Sequence, residues 1–289
     1  RCTGAAGRNR HFIGIFVRNE KNARKGGEGM KGTQIIEILC RQAAEAYACD
    51  WDNAGLLAGR REKEVHKVYI ALDATDGAVE DAIAKGADFL LTHHPLIFGG
   101  IRRVTDDDFT GRRLMALIRA DISCYAMHTN FDVMGMGVLA ADMLHLQEAV
   151  PLEITCMEQG TAQGIGRTGN LETAVTLAQC CETVKKTFGL SHVKVFGSAQ
   201  KMVQRVAVCP GAGKSNVKDA LRAGADVYIT GDIDHHTGID AAASGMAVID
   251  AGHYGIEHIF IPYMAQYLKK QAPELEIVMQ ENAEPFQIV

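Results

Sequence analysis

Residues 68–92 read VYIALDATDGAVEDAIAKGADFLLT, and the same pattern returns without gaps over residues 206–230 as VAVCPGAGKSNVKDALRAGADVYIT. Asp81 aligns with Asp219, and Thr92 aligns with Thr230. Each copy begins with an apolar, β-rich run, continues into a helical pattern that ends at a glycine, and finishes with a second apolar run. The sequence therefore predicts a strand–helix–strand unit that occurs twice, with helices near residues 77–85 and 215–223.

Each half then continues to a histidine that is followed four residues later by a carboxylate. The run into His128 matches the run into His253, and the carboxylates are Asp132 and Glu257. A polar loop over residues 102–111 accounts for the greater length of the first half. Because alternating strands and helices are typical of a parallel or mixed sheet covered by helices, we expect an α/β fold of two related halves. Its site should lie where strand ends from both halves converge.

The domain organisation follows from the same pattern. Residues 30–289 contain no linker rich in Pro, Gly or Ser, so we expect one domain whose halves span about 30–150 and 151–289. Residues 1–29 are basic, and we expect them to be disordered and to lie outside the fold. Two interpretations of this segment are open. An artefact or an upstream segment is favoured because the chain starts at Arg1, and the alternative is an organelle-targeting leader.

The composition limits the class of protein. The chain has 289 residues, of which 47% are hydrophobic and 22% charged, and its formal net charge is −5. These values are typical of a globular protein and do not favour nucleic acid as a direct partner. No run approaches about 18 consecutive apolar residues, so no membrane-spanning segment is expected. The eight cysteines include no C-x-x-C pair, which indicates a reducing compartment, and we expect a cytoplasmic location.

The strongest local signal for chemistry is the pair His93-His94, which follows an apolar strand and precedes Pro95. Ligands of α/β proteins bind at strand ends, and proline stops the strand there. Adjacent side chains on an extended backbone point to opposite sides, so the two histidines could serve two metal ions. A polar loop without a ligand is the alternative interpretation.

The His128 and His253 segments strengthen the metal interpretation, because each places a histidine and a carboxylate on one face of a starting helix. Histidine and carboxylate together suit Zn, Mn, Fe or Co better than Ca. A centre of two metal ions would need a bridging carboxylate, and Glu257 is a longer side chain than Asp132. The alternative is that both carboxylates only stabilise the N-termini of helices.

Two nucleotide-binding motifs are excluded. Residues 211–215 read GAGKS, but the phosphate-binding loop requires a glycine where this chain has Val208. Residues 164–169 fit G-x-G-x-x-G, but neither a clear preceding strand nor the expected downstream acidic residue is present. Two further segments are candidates for the site. The loop that starts at Trp51 could cap a helix, line a pocket or do both, and His235-His236 could face the same cavity or lie on a surface helix.

The chain resembles the NGG-one-interacting factor three-like family, whose members are also called GTP cyclohydrolase I type 2. The resemblance covers residues from Met30 to the C-terminus. It is carried by motifs in this order: Trp51-Asp52-Asn53-x-Gly55-Leu56, His93-His94-Pro95, His128-Thr129-Asn130-Phe131-Asp132, Gly164-x-Gly166-Arg167-x-Gly169, Gly231-Asp232-x-x-His235-His236 and Gly252-His253-x-x-x-Glu257.

The resemblance implies a two-lobed α/β protein with mixed sheets, assembled as a toroidal homohexamer with two divalent metal ions (Zn, Mn or Fe) in each subunit. It implies that Glu257 bridges the metals, that His94 and Asp132 hold one of them, and that His93 and His253 hold the other. Longer relatives carry an inserted middle domain between the halves. This chain resembles the short form, because residues 150–200 are too few for the insertion.

The same resemblance implies a metal-dependent hydrolase of the cyclohydrolase type, in which metal-activated water opens the imidazole ring of a purine. His128 would shuttle a proton. The substrate would be a small molecule, with a nucleotide as the candidate, and its phosphates would need cations such as Arg102 or Lys214. His236 is a further candidate on the substrate side. The alternative is a non-catalytic protein that handles metal or interacts with regulatory partners.

Overall fold

The computed structural model of the chain describes residues 29–281 and 284–287, so the expectation for residues 1–29 lies outside the described residues apart from Gly29. The strands are β1 (Met30–Lys31), β2 (Gly55–Ala58), β3 (Glu64–Val65), β4 (Lys67–Ala71), β5 (Phe89–Thr92), β6 (Ser123–Ala126), β7 (Gln147–Glu158), β8 (Thr161–Thr176), β9 (Lys194–Phe196), β10 (Met202–Ala212), β11 (Val227–Gly231), β12 (Ala247–Asp250) and β13 (Glu276–Met279).

The α-helices are α1 (Gly32–Gln42), α2 (Asp76–Ala84), α3 (Phe109–Arg119), α4 (Thr129–Phe131), α5 (Gly137–Met143), α6 (Leu177–Phe188), α7 (Val217–Arg222), α8 (His235–Ala243), α9 (His253–Glu257) and α10 (Phe260–Gln271). A π-helical turn over Asp132–Met136 joins α4 to α5, and short 3₁₀ turns lie at Glu45–Tyr47 and Gly213–Asn216. Every helix within residues 29–281 and 284–287 is too short or too polar to cross a lipid bilayer.

Two mixed sheets confirm the predicted α/β fold. The first has the order β13-β4-β5-β6-β2, and the second has the order β7-β8-β10-β11-β12-β9. In each sheet the strands of the repeat run parallel, and antiparallel strands are added beside them. A small antiparallel pair of β1 and β3 lies apart from both sheets.

The sequence repeat is reproduced in strand register. In the first half, β4 and β5 flank α2, and Val68 pairs with Phe89. In the second half, β10 and β11 flank α7, and Val206 pairs with Val227. These four residues occupy equivalent positions in the two copies of the repeat. The predicted strand–helix–strand unit is therefore confirmed in both copies, with helix ends within about two residues of the expected bounds.

The two histidine segments differ by one residue relative to the strands before them. β6 ends at Ala126, and His128 is the second residue after it. β12 ends at Asp250, and His253 is the third residue after it. The additional residue is Gly252, whose backbone has a φ of 74°. In the structural register His128 therefore corresponds to Gly252, one residue before His253. The extra residue changes the direction in which the chain, and with it His253, leaves the strand.

Alternating side chains build three apolar layers. On β4, Val68 and Ile70 face a central core, whereas Tyr69 and Ala71 face the helices α2 and α3 on the outside. The strands β10 and β11 alternate in the same way, and their outer face packs against α7 and α8. The central core contains the inner faces of both sheets together with residues of α1, α6 and α10. Each sheet with its outer helices forms one lobe, and the two lobes share this core.

The chain crosses between lobes at its C-terminal end. After α10, strand β13 pairs with β4 in the first sheet, with Ile277 opposite Val68. The second sheet begins with β7 at Gln147. The lobes therefore differ slightly from the expected halves of 30–150 and 151–289. The first lobe includes β13, and the second begins at Gln147. Residues 150–200 hold only a β-hairpin, a helix and a short strand, as expected for the short form.

Truncating Leu39 in the shared core should destabilise the protein. Leu39 is fully buried on α1, whereas Ile118 on α3 is 60% exposed. We expect Leu39→Ala to lower the free energy of unfolding by about 2–5 kcal/mol, because a cavity would form between the sheets. The control Ile118→Ala should change it by no more than about 0.5 kcal/mol. Urea unfolding measures both, and similar losses in the two variants would contradict the shared core.

Candidate metal centre

The residues predicted as metal ligands lie together at the carboxyl ends of strands from both sheets. They are His93 and His94 after β5, Asp132 after β6, and His253 and Glu257 after β12. Both lobes thus contribute side chains to one cluster. Glu257 is at its centre and is only 3% exposed, and His93 is fully buried.

Glu257 faces two groups of ligand atoms. On one side, its Oε1 lies 3.6 Å from His93 Nε2, which is also 3.6 Å from Asp132 Oδ1. On the other side, its Oε2 lies 3.1 Å from His94 Nε2 and 2.9 Å from His253 Nε2. Each group could hold a metal ion. This division differs from the pairing implied by the resemblance, since the structure groups His93 with Asp132 and His94 with His253.

A hydrogen-bond acceptor fixes the orientation of each of the three histidines. His93 Nδ1 lies 2.7 Å from the carbonyl oxygen of Met127. His94 Nδ1 lies 2.8 Å from Asp73 Oδ1, and His253 Nδ1 lies 2.8 Å from Asp232 Oδ2. Because a carbonyl or a carboxylate accepts, each Nδ1 carries the hydrogen and each neutral imidazole presents the Nε2 lone pair to the cluster. This is the arrangement of histidines that bind metal ions.

Buried polar atoms without hydrogen-bond partners show that the donor set fits a metal ion. Among the described residues, His93 Nε2 and Asp132 Oδ1 are fully buried, have no such partner and lie 3.6 Å apart. Burying an unsatisfied polar atom costs about 1–3 kcal/mol, and two of them face each other at this point. A cation placed between them would satisfy both. Imidazole and carboxylate donors suit Zn, Mn, Fe or Co.

The carboxylates raise the pKa of the two partly exposed histidines. Burial disfavours the charged form of His94, but Asp73 and Glu257 outweigh it and raise its pKa to about 10. Burial acts in the same direction on His253, and Glu257 and Asp232 raise its pKa to about 9. At neutral pH without metal, a proton therefore occupies the space between each of these histidines and Glu257.

The two carboxylates at the centre have opposite pKa shifts. Burial favours the neutral form of Glu257, but the three surrounding histidines hold its pKa well below the usual range. Burial and the negative charge of Glu257 raise the pKa of Asp132 to about 7. The cluster thus holds one permanent negative charge at its centre and one carboxylate that a bound cation would deprotonate.

The two copies of the repeat diverge where they meet this cluster. Asp73, which orients His94, aligns with Gly211 in the second copy. Gly211 has a φ of 80°, and a Cβ there would lie 2.2 Å from Glu257 Oε1. His93 aligns with Gly231, where a Cβ would lie 2.6 Å from the backbone nitrogen of the residue that begins α9. Two glycines thus leave the space that α9 and its carboxylate occupy.

His128 lies beside the cluster and is held by a buried carboxylate. Its Nδ1 lies 2.7 Å from Asp52 Oδ1, and Asp52 also accepts hydrogen bonds from the backbone nitrogen and the hydroxyl of Thr129. Burial disfavours the charged form of Asp52, but the hydrogen bonds from His128 and Thr129 lower its pKa to about 2. His128, His93 and His94 each offer a ligand atom within 4.8 Å of the others. With Nδ1 held by Asp52, Nε2 is the atom that His128 offers to this group of three histidines, which could itself hold a metal ion.

The candidates for phosphate binding are exposed side chains that are not among the ligand groups. Arg102 is exposed in the loop before α3, and His236 is exposed in the first turn of α8. Lys214 Nζ lies 2.7 Å from Asp234 Oδ2, so its charge is compensated by the residue that caps α8. Their predicted role on the substrate side stays a prediction.

Sequence reasoning missed Asp73 and Asp232 as supporting residues, and it gave Asp52 no specific role. A signal for two of them is present in the sequence. Asp73 follows β4 and Asp232 follows β11, so both lie at the edge of the sheets that carries the predicted ligands. Asp232 also has a left-handed φ of 56°, which is uncommon outside glycine and clusters at functional sites.

Comparisons with known proteins find relatives that share the sequence pattern and the fold. The model of the Duf34/NIF3 (NGG1p interacting factor 3) family matches residues 30–285. A Clostridium perfringens protein named GTP cyclohydrolase 1 type 2 homolog is 30% identical over 264 residues, which cover 90% of this chain and 100% of that protein. A Streptococcus pneumoniae protein of the same name is 34% identical over 247 residues, which cover 83% and 91%. The crystal structure of a Bacillus cereus protein related to NIF3 has a TM-score of 0.85 at 25% identity, covering 91% of this chain and 100% of that chain.

Removing the charge of Asp232 should weaken metal binding without affecting the fold. We expect Asp232→Asn to lower Zn²⁺ affinity roughly 10- to 100-fold, because an amide no longer fixes the tautomer of His253. Competition with a chelating dye measures the affinity. The matched control is Asp240→Asn, which changes an exposed residue of α8 and should bind Zn²⁺ as the unchanged protein does. Equal affinity in both variants would contradict a ligand role for His253.

Metal binding should release protons at neutral pH. His94, with a pKa of about 10, and His253, with a pKa of about 9, are protonated at pH 7 in the metal-free protein, and only their neutral forms bind metal. The affinity should therefore rise as the pH is raised from 7 to 9. Calorimetry in buffers of different ionisation enthalpy counts the released protons. Asp73→Asn should release fewer protons, because Asp73 contributes to the raised pKa of His94. A count of zero for the unchanged protein would contradict the assignment of His94 and His253 as metal ligands.

Proposed function

The chain belongs to the Duf34/NIF3 family, and from this premise we propose that it is a metal-dependent hydrolase with two divalent metal ions in its active centre. The single observation that carries the proposal is the position of Glu257. Its two carboxylate oxygens face separate groups of ligand atoms, one containing His93 and Asp132 and the other containing His94 and His253. In a two-metal centre, Glu257 would be held in common by both ions, with His93 and Asp132 holding one and His94 and His253 the other.

The residues of the site have two kinds of role: some orient the metal ligands, and others transfer a proton. Met127, Asp73 and Asp232 fix the three ligating histidines by their Nδ1 atoms. Two divalent metal ions in this site would polarise the substrate and lower the pKa of a coordinated water molecule toward neutrality. The surrounding residues shield Glu257 and His93 from bulk water, which strengthens electrostatic interactions there.

His128 is suited to transfer the proton that hydrolysis requires. Asp52 accepts from its Nδ1, so Nε2 is the atom that gains and loses a proton. The side chain of Asp52 is fully buried, and the hydrogen bonds from Thr129 keep it from turning away. A histidine held by a buried carboxylate next to a metal site is a common arrangement for general acid–base catalysis.

The class of reaction comes from the relatives. Two of the similar proteins are named GTP cyclohydrolase 1 type 2 homolog, and we propose the same chemistry here, namely hydrolytic opening of a purine ring. The homohexamer with metal sites facing an internal cavity stays a proposal that rests on the resemblance. So do the roles of Arg102, His236 and Lys214 near the phosphates of a nucleotide.

Turnover of GTP tests the proposal directly. Protein loaded with Zn²⁺, Mn²⁺ or Fe²⁺ should release formate from GTP, measured by mass spectrometry beside metal content in the same sample. Glu257→Gln should lose metal and turnover together. His128→Asn should keep its metal while its rate falls roughly 10²- to 10⁴-fold, because only proton transfer is removed.

The exposed Glu274 provides the control, and Glu274→Gln should behave as the unchanged protein does. Two bound metal ions with GTP left intact would refute the cyclohydrolase reaction and favour a metal-handling role. A turnover rate that His128→Asn leaves unchanged would instead remove His128 from the mechanism.

A further inference from the structure

Two large aromatic side chains stand exposed beside the candidate metal centre. Trp51 is 61% exposed and Phe98 is 59% exposed. Their ring centroids are 5.9 Å apart, and the ring planes are inclined by 42°. Exposed aromatic side chains cost hydrophobic stabilisation, and a pair of them next to a polar site is typical of a binding surface.

The pair borders the residue proposed to move protons. The rings of Trp51 and Phe98 each have their centroid 6.0 Å from the centroid of the His128 ring, and both present an edge-to-face arrangement. The His128 ring is in turn 5.4 Å from that of His93 and 5.7 Å from that of His94. A planar group stacked on either ring of the pair would therefore lie next to His128 and close to the metal ligands.

Hydrogen bonds hold the two aromatic residues in a fixed relation. Asn53, two positions after Trp51, donates from Nδ2 to the carbonyl oxygen of Ile97 at 2.6 Å, which ties the Trp51 loop to the Phe98 loop. The backbone nitrogen of Asn53 donates to Asp52 Oδ1 at 2.6 Å. Asp52 thus anchors both His128 and the loop that carries the indole, so the stacking surface and the proton-transfer group share one support.

A groove lies on the other side of the loop from His94 to Ile101 and meets the metal centre at His94. It has a volume of about 440 Å³ and is lined by His94, Asp73, Phe98, Phe109 and Arg113 among others. This volume lies within the range of small-molecule sites. Arg113 packs over the Phe109 ring at 4.8 Å and forms an ion pair with Asp76, which gives the far end of the groove a polar boundary. The groove therefore combines an aromatic wall with a few polar groups.

We propose that Trp51 and Phe98 form the stacking surface for a planar aromatic heterocycle, which places the reacting edge of that ring next to His128 and His94. This inference rests on the proposed function and names the residues that hold the ring of its substrate. Stacking on aromatic side chains is available to every nucleobase and to other flat heterocycles, but not to a sugar phosphate without a base. The surface thus favours planar rings, and the ring that it holds lies next to the metal ligands.

The indole of Trp51 reports on this surface without a label. Trp51 is the single tryptophan of the chain, so tryptophan emission comes from this residue alone. We expect GMP, added to the metal-loaded protein, to quench the emission in a saturable way with an unchanged fluorescence lifetime, as in a ground-state complex. Ribose 5-phosphate carries the same sugar and phosphate without the base, and it should leave the emission unchanged.

Variants of Phe98 separate ring stacking from general apolar contact. Phe98→Leu keeps an apolar side chain but removes the aromatic face, and it should weaken the apparent affinity for GMP roughly 5- to 100-fold. Phe98→Tyr keeps an aromatic ring and should bind GMP as the unchanged protein does. Phe286→Ala removes another exposed aromatic ring, 50% exposed and absent from the groove lining, and should bind GMP unchanged.

The result distinguishes failure of this inference from failure of the proposed function. Saturable quenching that persists in Glu257→Gln, or in protein that leaves GTP intact, supports the stacking surface even where hydrolysis fails. GTP turnover without quenching, or with the same KM in Phe98→Leu, overturns the surface and leaves the hydrolase proposal standing. Emission that shifts on dilution of the protein alone, with no response to GMP, overturns it as well, because a second copy of the chain would then cover the pair.

Discussion

The buried carboxylate of Glu257 is the constraint on which the rest of the structure depends. An ionised carboxylate that is 3% exposed is strongly destabilising unless positive charge or hydrogen bonds surround it. The compensation comes from His93 and His94 on one lobe and from His253 on the other. The two lobes must therefore be held at one relative position, and the central core that they share provides that position. Packing and charge compensation thus depend on each other.

Much of this architecture could be predicted from the sequence because a repeat is visible without knowing the fold. The gapless match of residues 68–92 to residues 206–230 fixed which strands are equivalent, and strand ends in α/β proteins meet at one edge of a sheet. That rule was sufficient to bring His93, His94 and Asp132 to one edge of the first sheet, and His253 and Glu257 to the equivalent edge of the second. That the two edges meet was expected from the relation between the halves, but the meeting depends on how the two lobes pack around their shared core.

Side-chain direction is what the sequence could not supply. Which histidine shares a group with Asp132 depends on how the backbone turns after each strand, and one additional glycine, Gly252, changes that turn in the second half. The roles of Asp73 and Asp232 depend on contacts between elements that are distant in sequence. The contact between Trp51 and Phe98 could not be predicted either, because the two residues lie in loops whose separation is set by tertiary structure alone.

The strand β13 affects how the protein reaches its fold. It pairs with β4 and closes that edge of the first sheet, but it comes from residues 276–279. During synthesis the strands of the second sheet emerge before β13, so one edge of β4 keeps unpaired backbone groups that another chain could join until β13 is made. The first lobe is therefore completed last although its residues are made first. Such long-range pairing slows folding, and it makes the nascent chain dependent on protection from aggregation until its last strand arrives.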